Sequence, residues 1–236
     1  MAHPAASTGP VSPRRVRVVF DVEEHPRQCL LDETDLNATS EQRATAGLLH
    51  QVLTAWAHRT HRDVLLGRAL PCHWDASDDR LGVAPDVALF EPPPPAGTRA
   101  LRLGECGHEP PRVAVEIVSE ATARRDYHDA PLRYGLLKAR EVWVFDPGQC
   151  GPGATGGPFV LQVWRRQGEG APMQRVYAGP GPVRTDELGA WLVVTDEGRR
   201  LRLSDDMHGR RLWPTESGST SGEHLEAQSP PGAERR

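Results

Sequence analysis

Two short apolar runs in this chain each carry one acid near the centre: Asp86 in VAPDVALF and Glu116 in VAVEIV. Runs of this kind, bounded by Gly, Pro and Asp, read as strands buried on both faces. A carboxylate inside such a strand is costly unless it is protonated, paired with a cation or bound to a metal. The fold must therefore deliver a basic side chain to each acid or gather the acids around an ion. Twenty-seven arginines supply partners for the first solution. For the second, two acids on neighbouring strands hold a hard divalent cation such as Mg²⁺, which takes oxygen ligands and keeps several waters. The carbonyl of Ile117 stands where it adds a third protein ligand. A metal held in this way polarises a phosphate and lowers the pKa of a bound water, which is phosphodiester hydrolysis. Spacing alone leaves both solutions open.

The surrounding pattern gives the fold class. Further strand-like runs occupy 63–67, 141–146 and 159–164, and the stretch 15–20 (RVRVVF) alternates as a strand does. The clearest helix spans 39–59, with Ser40 as its N-cap and Leu48, Leu49, Val52, Leu53 and Trp56 on one face. A second helix is read over 126–138, with Leu132, Leu136 and Leu137 on its apolar side and Asp126 or Asp129 as its cap. Pro131 is tolerated there only near the helix start. Strand, helix, strands, helix and strand together predict an α/β sandwich with a mixed central β-sheet flanked by helices. The loop 148–158 (GQCGPGATGGP) precedes an antiparallel hairpin.

A chain of 236 residues is long enough for one self-sufficient core. The domain is expected over 14–213, between an N-terminal tail at 1–13 and a C-terminal tail at 214–236 that has Leu225 as its one large aliphatic residue. No apolar run reaches the ~18 residues of a membrane span, and the first residues lack the apolar middle of an export signal. A cytoplasmic location with Cys29, Cys72, Cys106 and Cys150 as thiols is the expectation. The formal net charge of −4 argues against nucleic-acid binding through bulk charge. The cysteines and histidines make no paired C-x-x-C pattern for zinc, and no Gly-rich phosphate loop opens a helix. Only one residue, Lys138, is a lysine, a bias that points to a GC-rich source genome.

One ordered set of motifs is more specific. It comprises Pro85-Asp86, then Glu116-Ile117-Val118-Ser119, then Arg124-Arg125-Asp126, then Tyr134, and finally EVWVFDP from Glu141 to Pro147. In this order the motifs resemble the Uma-two restriction endonuclease family, a bacterial group with the PD-(D/E)XK nuclease fold. The resemblance implies a restriction-endonuclease-like core and a metal-dependent endonuclease acting on DNA, with Asp86 and Glu116 binding Mg²⁺ or Mn²⁺. In the parent fold a lysine two positions after the glutamate completes the site, and here that position is Val118. In the family a lysine on the following helix is thought to serve, at the place of Ala130, or one turn on at Arg133. Positions three apart share a helical face, so Arg133 is the candidate third catalytic residue. Arginine holds phosphate well but transfers protons poorly.

The same resemblance makes Arg124 and Arg125 a phosphate-binding pair, with a solvated surface as the alternative. It makes Glu41, on the first helix, a possible extra acid, against its plainer role as a first-turn acid at the helix dipole. Asp126 reads as a helix cap, Ser119 as a hydroxyl satisfying strand-end backbone, and Lys138 as a cation at the helix C-terminus. DNA is the expected partner, and a homodimer is the default oligomer. The competing function is a catalytically silent nuclease-fold module that binds DNA or protein, which the missing lysine favours.

Overall fold

A computed structural model describes residues 30–31, 38–168 and 170–215. The predicted strand at 15–20, the tail at 1–13 and the C-terminal stretch from 216 lie outside the described residues. In chain order the elements are α1 (Ser40–Thr60), β1 (Leu65–Gly67), β2 (Cys72–His73), β3 (Gly82–Val83), β4 (Val87–Phe90), β5 (Leu101–Arg102) and β6 (Val113–Ile117). Then follow α2 (Ala123–His128), α3 (Ala130–Leu136), β7 (Glu141–Phe145), β8 (Leu161–Arg166), β9 (Met173–Gly179), β10 (Val183–Thr185), β11 (Ala190–Thr195) and β12 (Arg200–Ser204). No helix among the described residues is long and apolar enough to cross a membrane.

The predicted mixed central sheet is present. Its six strands run in the order β1-β4-β6-β7-β8-β9. β6 and β7 are parallel, joined by the crossover through α2 and α3, and the other neighbours are antiparallel. Side chains alternate between two cores, as a sheet covered on both faces requires. Val113, Val115 and Ile117 face α1 and the antiparallel sheet β10-β11-β12, together with Leu49, Leu53, Trp143 and Leu203. Ala114 and Val118 face the opposite way, into a core shared with Tyr127, Ala130, Tyr134 and Leu137 of the crossover helices.

Several boundaries differ from the sequence reading, each for a local reason. The N-cap of α1 is Thr39 and not Ser40: its hydroxyl accepts from the Gln42 amide, and the Gln42 side chain accepts from the Thr39 amide in a reciprocal box. The run 83–90 is two strands. Val83 pairs with Cys72 in a small sheet, whereas Val87–Phe90 lie in the central one, and the break falls at Pro85, which lacks an amide donor. The small sheet, β3-β2-β5, escapes sequence reading because each strand is two residues long. The predicted helix over 126–138 is two shorter helices, α2 and α3, meeting at Asp129 with Pro131 in the first turn of α3. Lys138 lies just past the end of α3 in the left-handed region, φ 61°, with its amide on the Gly135 carbonyl.

Candidate active site

The antiparallel register of β4 and β6 pairs Val87 with Val115, so Asp86, the residue before β4, stands opposite Glu116. Pro85 ends the preceding strand and leaves Asp86 at the very start of β4, where its Oδ2 accepts the Ile117 amide at 2.7 Å. Neither acid is fully enclosed: both are partly exposed, as befits a site open to a ligand. Glu116 Oε1 accepts the phenolic hydrogen of Tyr134 at 2.7 Å, and the Tyr134 side chain is completely buried. Desolvation, then the negative charges of Asp126 and Asp86, push the Glu116 carboxyl well above the ordinary carboxylate range, while Arg125 pulls the other way.

The Ile117 carbonyl is held from the other side of the sheet. Gln42 Nε2 donates to it at 2.6 Å, and the amide orientation is fixed because Gln42 Oε1 accepts the Thr39 amide at 2.8 Å. One lone pair of that carbonyl remains for another partner. The structure thus brings together Asp86, Glu116 and Ile117, and adds two residues the sequence reading did not place there. In the sequence Tyr134 is one letter of the motif set, with no role attached. Gln42 carries a signal that was available, the T-x-x-Q pattern from Thr39.

The remaining candidates divide. Glu41 is exposed and lines a groove of about 810 Å³ with Asp196, Glu197, Arg199 and Arg200; it is its neighbour Gln42 that reaches the strand end. Asp126 is not a cap. It lies inside α2, 3 % exposed, with its amide bonded to Thr122, its side chain 3.7 Å from Arg125, and its charge acting on Glu116. Arg124 is exposed on α2 and Arg125 half-buried beside it. Arg133, 2 % exposed, donates through one guanidinium nitrogen to the carbonyls of Gly82 at 2.6 Å and Leu30 at 3.2 Å, and so ties α3 to β3. An arginine this enclosed reaches no phosphate without breaking those bonds. Ser119 differs from the reading: its hydroxyl lies against Thr122 Oγ1 and not a backbone group, and it is Thr122 Oγ1 that accepts the Ser119 amide.

The EVWVFDP motif is architectural. Glu141 Oε1 accepts the Trp143 indole N–H at 2.6 Å, and its Oε2 accepts Arg165 Nε at 2.8 Å and the Asp186 amide at 3.1 Å. Asp146 accepts the Tyr127 hydroxyl and the amides of Cys150 and Gly151, locking α2 to the end of β7. Gly151 is required there, since a Cβ would lie 2.1 Å from Tyr127 Cζ.

Residues 35–151 match the Uma2 family, described as a putative restriction endonuclease. Over that span the chain is similar to the Uma2 family. That span runs from before α1 to beyond β7 and includes Gln42, Asp86, Glu116, Ile117, Asp126 and Tyr134. Among solved structures, a putative nuclease belonging to DUF820 from Anabaena variabilis is 14 % identical, with 64 % of this chain and 75 % of that chain covered and a TM-score of 0.44. No curated protein matches the chain.

The donor set suits a hard divalent ion. Two carboxylates and a carbonyl are oxygen ligands of the kind Mg²⁺ and Mn²⁺ take. Among the described residues no group of three or more His, Cys, Asp and Glu is arranged as a metal cage. Mg²⁺ is commonly bound through one or two carboxylates with waters completing its shell.

Proposed function

We propose that this Uma2-like core is a metal-dependent endonuclease that hydrolyses phosphodiester bonds in DNA. The reading is carried by the Asp86–Glu116 pairing across β4 and β6, with the Ile117 peptide bonded between them. Asp86, Glu116 and the Ile117 carbonyl would hold Mg²⁺ or Mn²⁺, which when bound supplies Lewis acidity toward the phosphate and an acidified water. Gln42 fixes the direction of the Ile117 carbonyl. Arg125, close enough to act on Glu116, and the exposed Arg124 at the surface of α2 bind the phosphate oxygens flanking the scissile bond. Arg133, enclosed between α3 and β3, supports the site from beneath.

One observation favours a second reading, a silent DNA- or protein-binding relative. Val118 and Ala130 occupy the places of the lysines that complete related sites, and Arg133 points into the core. Incubating the full chain with supercoiled DNA separates the two. Nicking that requires Mg²⁺ or Mn²⁺, stops with chelator, and falls at least ~100-fold in Asp86→Ala and Glu116→Ala supports the nuclease. Absence of nicking by correctly folded protein under every metal condition supports the silent module.

A further inference from the structure

We infer that Tyr134 is the positioning residue for Glu116, holding Oε1 so that Oε2 is presented to the cation; this rests on the metal site proposed above. A glutamate near a strand end has three side-chain torsions to order, and freezing them costs conformational entropy. The phenol meets that cost beforehand, in the metal-free protein, through a 2.7 Å hydrogen bond to Oε1.

The phenol is itself rigidly placed. Tyr134 is completely buried in the core beneath α2 and α3, and its backbone carbonyl accepts the Ala139 amide. The residue before it, Arg133, is anchored to Gly82 and Leu30 on one side. On the other side, Arg166 Nε donates to the Ala139 carbonyl at 3.3 Å and its Nη2 to the Gly135 carbonyl at 2.5 Å. Arginines from two directions thus clamp the short helix that carries the tyrosine. A phenol is neutral near pH 7, and this one, fully buried, donates its one hydrogen to Glu116 Oε1. The contact between this helix and the acids is accordingly made by a neutral group, where relatives of the fold use a lysine.

The test is Mn²⁺ binding by the full chain, counted from the free-ion electron paramagnetic resonance signal at fixed pH. Tyr134→Phe is expected to weaken binding about tenfold, the loss of one hydrogen bond to a charged group, with native circular dichroism. In the nicking assay the Mn²⁺ concentration for half-maximal rate rises by the same factor, and excess metal recovers most of the rate. A role confined to packing leaves the metal requirement unmoved. In a Glu116→Gln background the Tyr134→Phe effect on binding is expected to vanish. If Tyr134→Phe does not fold, Tyr134→Met replaces it: the flexible thioether fills apolar space and carries no donor, and the same weakening is expected. Wild-type binding with an unchanged affinity in the folded variant overturns the role of Tyr134 and leaves the site intact. Failure of wild-type protein to bind Mn²⁺ overturns the site and this inference with it.

Discussion

Replacing Glu141 with alanine should cost the fold a few kcal/mol while leaving metal binding in place. The carboxylate is 1 % exposed and makes three hydrogen bonds, to the Trp143 indole, Arg165 and the Asp186 amide. Deletion strands the Trp143 N–H in a fully buried position, at about 1–3 kcal/mol, and weakens the docking of the Asp186 turn by about 1 kcal/mol. Arg165 is a smaller loss, because it keeps Asp186 at 2.8 Å and the Arg184 carbonyl and is partly exposed. A loss of about 2–4 kcal/mol follows, at the lower end for breaking a buried charged contact. In urea, with a slope of about 2 kcal/mol/M, the midpoint falls by about 1–2 M. Glu141→Gln retains one acceptor and should lose roughly half as much. Mn²⁺ affinity should change less than about twofold, because Glu116 pairs with Val144, three residues along β7 and about 10 Å from Glu141. A midpoint shift below about 0.3 M in the alanine variant refutes the structural assignment. Intact stability together with lost metal binding would place Glu141 in the chemistry instead.

Glu116 should show the opposite balance of stability and function. Its folded pKa lies above its unfolded value, so the folded protein binds the extra proton and stability is lost as pH rises between the two. Without metal, Glu116→Gln should therefore melt higher than wild type at pH 8 and equally near pH 4, as followed by calorimetry; equal melting at both refutes the burial and repulsion assigned to this site. Gln42→Ala removes both the helix-capping contact and the bond to the Ile117 carbonyl, and should cost about 1–2 kcal/mol in chemical denaturation. It should also weaken Mn²⁺ binding, whereas Glu41→Ala should leave it unchanged.

The legible part of the site was the part that broke a pattern. Asp86 and Glu116 stand out because acids interrupt apolar strands, and the register then places them side by side. Tyr134 and Gln42 break nothing: a tyrosine in an amphipathic helix and a glutamine in a first turn are ordinary there, and only the three-dimensional crossing of α1 and α3 over the ends of β6 gives them work. Asp126 misled because a polar residue at the apparent start of a helix reads as a cap, but the helix begins earlier, with Thr122 at the N-cap position. Arg133 misled because helical spacing gives a face and not a depth. Its guanidinium satisfies buried carbonyls of Gly82 and Leu30, and those partners lie 51 and 103 residues away in sequence. Lys138 was read at a helix end and is found just beyond one. The central sheet was recoverable from its apolar runs; the two-residue strands β2, β3 and β5 were not, because a period cannot be read from two residues.

The central claim, that Asp86 and Glu116 share one divalent cation, is tested most directly by crystals of the full chain grown with Mn²⁺ and measured for anomalous scattering. The account predicts one strong peak within about 2.0–2.4 Å of an oxygen from each carboxylate, with the Ile117 carbonyl beside it and the peak absent in Glu116→Ala. A peak elsewhere, or none between these two acids at saturating Mn²⁺, contradicts it.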